Sequence, residues 1–128
     1  MSSDVIKIKS FSFAIRIVNL YKTLNTRSEY VMSKQILRSG TSIGANIREA
    51  KNAESKADFI HKMGISQKEA DETLYWLELL QATNYISNEE FLSLNNDGIE
   101  VLKLIKSIII TSKNNIKKLN NSSLQFNT

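Results

Sequence analysis

Helix-capping signals divide this chain into long segments with helical periodicity. The signals are Thr26–Glu29, Ser55–Asp58 and Ser87–Glu90, in each of which a hydroxyl residue precedes a carboxylate by three positions. In such a capping box the two side chains bind free backbone N–H groups at the start of a helix. The chain has no proline, and its four glycines lie within helical patterns, which argues against a sandwich or barrel. The sequence therefore predicts an all-α, up-down-up-down antiparallel four-helix bundle.

The predicted bundle occupies residues 10–118. Before it, residues 1–9 are expected to form an extended N-terminal arm, because residues 4–9 alternate apolar and basic side chains. After it, residues 119–128 are mostly polar, and this C-terminal tail is expected to fray. The second helix is expected to begin at the Thr26–Glu29 box. The fourth is expected to run unbroken across Asn95–Gly98, because the apolar seam keeps its spacing there.

Helix 1 carries more apolar residues than one buried face requires. Phe13, Ile17, Leu20 and Leu24 form the core-facing line, and a second line lies more than a quarter-turn away. Helix 3 is also apolar nearly all round in its last turns. An exposed apolar patch of this size is unusual for a monomer, so we expect homo-oligomers. The predicted subunit-interface residues are Phe11, Ile15, Val18, Trp76, Leu79 and Leu80.

The segment Gln35–Glu49, with the sequence QILRSGTSIGANIRE, sorts into three stripes when drawn as a helix. An apolar stripe predicts a buried seam. Gly40 and Gly44 form a small-residue stripe, and since glycine weakens a helix, they indicate close approach by a neighbouring backbone. The polar stripe comprises Gln35, Arg38, Ser42, Asn46 and Glu49. It predicts either an ion-paired seam with another helix or subunit, which we favour, or a groove for a ligand or nucleic acid.

The residues that commonly carry catalysis are nearly absent. There is no cysteine, and His61 is the one histidine, whereas a di-iron bundle site needs two acid-x-x-His motifs and two further glutamates. No serine lies in a nucleophile elbow, and no glycine-rich loop could hold a phosphate. We expect no enzyme activity, no cofactor and no metal. No segment has the length of a membrane span or the pattern of a signal peptide, so a cytoplasmic protein without membrane contacts is expected.

Charge is distributed unevenly along the chain. Residues 1–53 carry a net +6, residues 54–100 a net −7 and residues 101–128 a net +5. Basic surfaces attract nucleic acid, but basic and acidic faces of one molecule can also meet across its own copies. Both interpretations stay open. The candidate residues for binding RNA or DNA are Lys7, Lys9, Arg16, Lys22 and Arg38.

Two segments, SKQILRSGTSIGANIREAKNAESKADFIHKM and KEADETLYWLELL, resemble the four-helix-bundle family encoded by intervening sequences in bacterial 23S ribosomal RNA genes. Its most specific pattern is Gln35-x-x-Arg38-x-x-x-Ser42-Ile43-x-x-Asn46-Ile47-x-Glu49. The family is related to the accessory protein of diversity-generating retroelements. The resemblance implies a homopentamer whose basic surface binds nucleic acid and a reverse transcriptase. We therefore expect a non-enzymatic, nucleic-acid-associated or adaptor protein; the alternative is a purely structural or protein-interaction module.

Overall fold

The computed structural model describes the backbone of residues 2–126 and the side chains of residues 5–122. Four helices, α1 (Ser2–Thr26), α2 (Met32–Lys51), α3 (Lys56–Ala82) and α4 (Asn88–Phe126), account for most of this part, which contains no strand. Each helix packs against the one before and the one after it, and α4 closes the ring on α1. Short links make successive helices antiparallel. The predicted up-down-up-down four-helix bundle is confirmed.

Two of the predicted capping boxes begin helices as expected. The backbone N–H of Ser87 donates to Glu90 at 2.9 Å, and that of Glu90 donates to the Ser87 hydroxyl at 3.1 Å. The Ser55 hydroxyl accepts from the Asp58 N–H at 3.0 Å. These bonds, which are reciprocal only at Ser87–Glu90, satisfy donors that have no partner within the helix. The sequence therefore places the beginnings of α3 and α4 correctly.

The prediction for the beginning of α2 is wrong. The helix begins at Met32, after a turn in which Ser28 has a φ of 62°. Glu29 remains in this loop, where its buried carboxylate accepts the N–H groups of Val31 at 3.1 Å and Ser33 at 2.7 Å. Glu29 therefore caps α2 from outside the helix, since its carboxylate supplies the acceptor that the first turn needs.

The prediction of an extended arm over residues 1–9 is also wrong, because α1 includes residues 2–9. Ile6 is buried, and it lies seven residues before Phe13 and eleven before Ile17, on the same helical face. An alternating stretch of only six residues is compatible with the two-residue period of a strand and with the 3.6-residue period of a helix. The burial of Ile6 favours the helix. At the other end α4 continues through the predicted tail, residues 119–128, to Phe126. Residues 1, 127 and 128 lie outside the described part.

Glycines and apolar side chains let α1 pack closely on its neighbours. The predicted seams of α1 and α2 are buried, including Ile17 and Ile43. A Cβ added at Gly40 would lie 2.7 Å from Ile17 Cγ2, and one at Gly44 would lie 3.4 Å from the Ser10 hydroxyl. These distances support the predicted close approach at the small-residue stripe of α2.

The buried residues of α3 form two rows along the helix, whereas its apolar residues alone indicate a single row. One row is Met63, Ala70 and Leu77, and the other is Ser66, Thr73 and Leu80. The second row meets α2: the Ser66 hydroxyl donates to the Ile43 carbonyl at 2.8 Å, and Thr73 donates to the Ser39 hydroxyl at 2.9 Å. Leu80 is 0% exposed, so its prediction as a subunit-interface residue is wrong. The small polar residues of its row concealed this second face.

Candidate interaction surfaces

The polar stripe of α2 faces acidic side chains of α3. The Arg38 guanidinium lies 2.5 Å from a Glu72 oxygen and 3.4 Å from a Glu69 oxygen. The hydrogen bond to Glu72, with the charges of both carboxylates, raises the pKa of Arg38 above its ordinary value. Glu72 also accepts the Trp76 indole N–H at 3.1 Å. Arg38 therefore contributes to a charged network between α2 and α3.

Three of the remaining residues of the stripe, Ser42, Asn46 and Glu49, also have contacts within the bundle. The Ser42 hydroxyl donates to the Arg38 carbonyl at 2.6 Å, and the Asn46 amide donates to the Ser42 carbonyl at 2.8 Å. Glu49 lies 3.8 Å from the Lys62 ammonium, and Gln35 is exposed. Bonds along one helix and ion pairs to the next are the contacts expected of a helix–helix seam.

Two of the candidate nucleic-acid residues on α1 are paired with carboxylates of α4. The Lys9 ammonium contacts Glu100. The Arg16 guanidinium lies 2.6 Å from Asp97 and donates to the Ser93 hydroxyl at 2.8 Å. Because each cation is partly neutralised inside the chain, its attraction for an external phosphate is reduced.

A third pair continues this α1–α4 ladder at the end of the bundle that holds the α3–α4 turn. Arg27 forms a two-pronged contact with Glu90, with both N–O distances at 3.0 Å, and donates to the Tyr85 carbonyl at 2.8 Å. The hydrogen bond from Arg27 and the N–H of Ser87 lower the pKa of Glu90. The sequence alone does not reveal the ladder, because charged pairs far apart along the chain leave no local signal.

Two other candidate cations on α1, Lys7 and Lys22, are exposed and have no ion pair among the described contacts. A larger set of unpaired lysines lies on α4. No acidic residue follows Glu100, and at 100° per residue four lysines fall within about 80° of one another on the outward side of the helix. These exposed residues, here called the α4 cationic face, are Lys103, Lys106, Lys113 and Lys117.

Apolar side chains are exposed on the outward face of α1. Ile8 is 66% exposed, Phe11 51% and Ile15 49%, and Val18 is half-buried. Their spacing of three, four and three residues is the repeat by which helices pair along a narrow seam. The Arg48 guanidinium of α2 lies 5.2 Å from the centre of the Phe11 ring. We call Ile8, Phe11, Ile15 and Val18 the α1 outer seam.

Beside this seam, a groove of about 340 Å³ runs between α1 and α4. Val5, Ile8 and Phe13 contribute apolar walls from α1, while Asp97 and Glu100 line its α4 side. A smaller groove of about 210 Å³ follows the same interface past Arg16. Contact between α1 and α4 is the least extensive in the bundle. The ion-pair ladder therefore lies along a partly open interface.

The predicted interface residues on α3 differ from those on α1. Trp76 and Leu79 are half-buried, and Trp76 packs against the core with its edge toward Tyr75 at a ring-centre distance of 5.1 Å. With Leu80 inside the core, α3 lacks an apolar outer line comparable to the α1 outer seam. Among the described side chains, α1 therefore carries more exposed large apolar residues than any other helix.

The described side chains form no cluster suited to a metal ion. His61 is exposed on α3, and no group of three or more His, Cys, Asp or Glu residues among them is placed to hold a metal ion. None of the described helical segments combines the length and the apolar character needed to cross a membrane.

Comparison with known proteins identifies relatives of this bundle. A crystal structure from Bacteroides thetaiotaomicron, described as a protein of unknown function from the S23 ribosomal protein family, is 64% identical, with a TM-score of 0.84. The match covers 85% of this chain and 98% of that one. No curated protein gives a significant match. The model of the 23S rRNA-intervening sequence protein family matches residues 3–107. The four-helix architecture agrees with both matches, and the chain belongs to the 23S rRNA-intervening sequence protein family.

Proposed function

We propose that this protein is a non-enzymatic, homo-oligomeric four-helix-bundle adaptor that associates with nucleic acid in the cytoplasm. By the family resemblance, the oligomer is a pentamer and its further partner is a protein such as a reverse transcriptase. The observation that carries the proposal is the exposed α1 outer seam. The α4 cationic face supplies the surface for a polyanion.

The α1 outer seam supports self-association on energetic grounds. Burying a large apolar side chain contributes about 1.5–3 kcal/mol, so completing the burial of three half-exposed side chains contributes roughly 2–4 kcal/mol per subunit. On α1, Ser12, Ala14 and Asn19 border the seam and carry no charge, whereas Lys7 borders its first part and Lys22 continues its spacing. Since the Arg48 guanidinium also lies 5.2 Å from the Phe11 ring, a second copy has to pack on this face in an arrangement that keeps these cations apart.

The α4 cationic face supports nucleic-acid association better than the basic residues of α1 and α2. Arg16 and Arg38 are engaged by carboxylates, whereas the lysines of this face have no ion pair among the described contacts. From Lys103 to Lys117 the face extends about 21 Å, which is long enough to contact several phosphates. Binding carried by such contacts weakens steeply as salt rises, because it releases counterions.

A mobility-shift titration tests the nucleic-acid half of the proposal. The wild type should shift single-stranded RNA or DNA at low salt and lose affinity as salt is raised. Joint replacement of Lys106, Lys113 and Lys117 by glutamate should abolish the shift, while Lys68→Glu, an exposed change on α3, should preserve it. If the wild type fails to shift either nucleic acid at low salt, this half of the proposal is wrong.

The second candidate is a protein-interaction module that binds no nucleic acid. The internal pairing of Lys9, Arg16 and Arg38 favours it, since these cations serve the fold. Charge reversal at the unpaired Lys7 and Lys22 separates the two candidates on α1. Loss of the mobility shift with intact oligomers supports nucleic-acid binding at α1, whereas loss of the oligomers supports the interaction module.

A further inference from the structure

The last part of α4 extends beyond the other three helices. Lys9 of α1 pairs with Glu100, and α1 begins only seven residues earlier, at Ser2. A Cβ at Gly98 would lie 2.8 Å from Leu74 of α3, whose helix begins at Lys56. Antiparallel helices rise by the same distance per residue, so the first residue of α1 lies beside about residue 107 of α4, and the first residue of α3 lies beside about residue 116. The turns of α4 beyond that point have none of the described helices beside them.

The apolar seam of α4 continues into this unaccompanied part. Its positions follow alternating steps of four and three residues, which is the spacing of a helix-pairing seam. Its residues are buried as far as Ile109, whereas Ser112 and Ile116 are half-buried and Leu119 is 54% exposed. The seam consists of Gly98, Leu102, Ile105, Ile109, Ser112, Ile116 and Leu119.

Charge indicates which kind of helix could continue this packing. At 100° per residue, Lys113 flanks the exposed end of the seam about 60° from Ile116, while Lys117 and Lys118 lie on the outward side of the same turns, and no acidic residue follows Glu100. Two such ends from two copies would bring like charges together, which disfavours self-pairing. Nucleic acid would use the lysines but would leave Leu119 without an apolar partner. A helix with an apolar stripe and acidic flanks satisfies both features.

We propose that residues 113–126 form a docking arm for an acidic amphipathic helix contributed by a different protein. The arm lies beyond residues 3–107, the part that the family model matches. An unaccompanied helical segment of about ten residues is only marginally stable in water, so a bound helix also stabilises the arm. This inference does not depend on the proposed oligomer or on nucleic-acid binding.

A pair of designed helical peptides tests the docking arm on the full chain. Both peptides carry leucine along one stripe; the first has glutamate on its flanks and the second has lysine. Fluorescence anisotropy should show binding of the acidic peptide only. Leu119→Asn should raise its Kd by about tenfold or more, because it removes an exposed seam contact. Ile110→Asn, a matched change that is 59% exposed on the opposite side of α4, should leave Kd unchanged.

Three results would overturn the inference. The first is equal binding of both peptides, or equal effects of Leu119→Asn and Ile110→Asn. In the second, sedimentation velocity finds self-association that requires Leu119, which would assign the seam to a second copy. In the third, Leu119→Asn abolishes a nucleic-acid shift, which would assign the arm to the polyanion. Failure of the proposed function is measured separately, by the mobility shift of the wild type and by the variants of α1, because Lys113 and Lys117 belong to both the cationic face and the docking arm.

Discussion

Replacing Gly40 with alanine tests how closely α2 packs on α1. The new Cβ would lie 2.7 and 2.8 Å from the two Cγ atoms of Ile17 and 3.1 Å from its Cβ. These atoms form the base of a β-branched side chain that is 0% exposed. They cannot rotate away, because the branched side chain has few allowed rotamers and core atoms surround it. Either α1 moves outward or the core is strained.

The expected cost follows from two opposing effects. Overpacking a core lowers the free energy of unfolding by about 1–3 kcal/mol. Alanine in place of glycine within a helix raises it by about 1 kcal/mol. Because Ile17 is fully enclosed, we expect the steric effect to dominate, with a net loss of about 1–2 kcal/mol. Gly64 is the matched control, since nothing lies within 4 Å of a Cβ built there. Gly64→Ala should stabilise the protein by roughly 0.5–1 kcal/mol.

Urea unfolding followed by far-ultraviolet circular dichroism measures both variants. Protein concentration must be the same throughout, because association would raise the apparent stability. The two variants should differ by about 2 kcal/mol, which corresponds to roughly 6–10 °C in Tm for a chain of this size. If Gly40→Ala proves as stable as Gly64→Ala, α1 is free to shift and the inferred close packing is wrong.

Three further changes test contacts that were found only in the structure. Glu29→Ala removes the acceptor for two backbone N–H groups of α2 and should cost about 1–2 kcal/mol in urea unfolding. Ser66→Ala leaves the buried Ile43 carbonyl without the Ser66 donor and should cost about 1–3 kcal/mol in the same assay. Arg27 lowers the pKa of Glu90 in the folded protein. The Glu90 carboxylate therefore stabilises the fold at pH values above its unfolded pKa, and this stabilisation is lost as pH falls through its folded pKa. The Tm of Glu90→Gln should accordingly depend less on pH below about 5 than the Tm of the wild type.

Local signals in the sequence predict the fold well. The boxes at Ser55–Asp58 and Ser87–Glu90 place two helix starts, because a cap forms between residues three positions apart. The buried seams follow from the 3.6-residue period, and the glycine stripe of α2 indicates where α1 approaches. Each of these features depends on residues that are close in sequence, so no knowledge of the partner helix is needed.

The errors arise where a local pattern fits two structures. Residues 4–9 alternate apolar and basic side chains over too short a stretch to separate strand from helix, and only contact with the bundle buries Ile6. Glu29 fits both a box within a helix and a cap from a preceding loop. Leu80 lies in a row with Ser66 and Thr73, whose small polar side chains conceal that α3 contacts two neighbours.

The interaction surfaces are less predictable because they depend on which charges remain unpaired after folding. Arg16 and Lys22 look equivalent in the sequence, yet Asp97 engages Arg16 from a helix about eighty residues away. The α4 lysines could have been recognised from the absence of acidic residues after Glu100 together with their helical spacing. The α1 outer seam was recognised, since three of its four residues were named from periodicity.

Light scattering on the wild type and on Ile15→Lys tests the central claim, that the α1 outer seam joins copies of this chain. The wild type at micromolar concentration should have a mass near five times the 14.5 kDa of one chain. Ile15→Lys should reduce the mass toward that of one chain, while Leu92→Lys, a similarly exposed change on α4, should not. A wild type of 14.5 kDa, or oligomers unaffected by Ile15→Lys, would contradict the account.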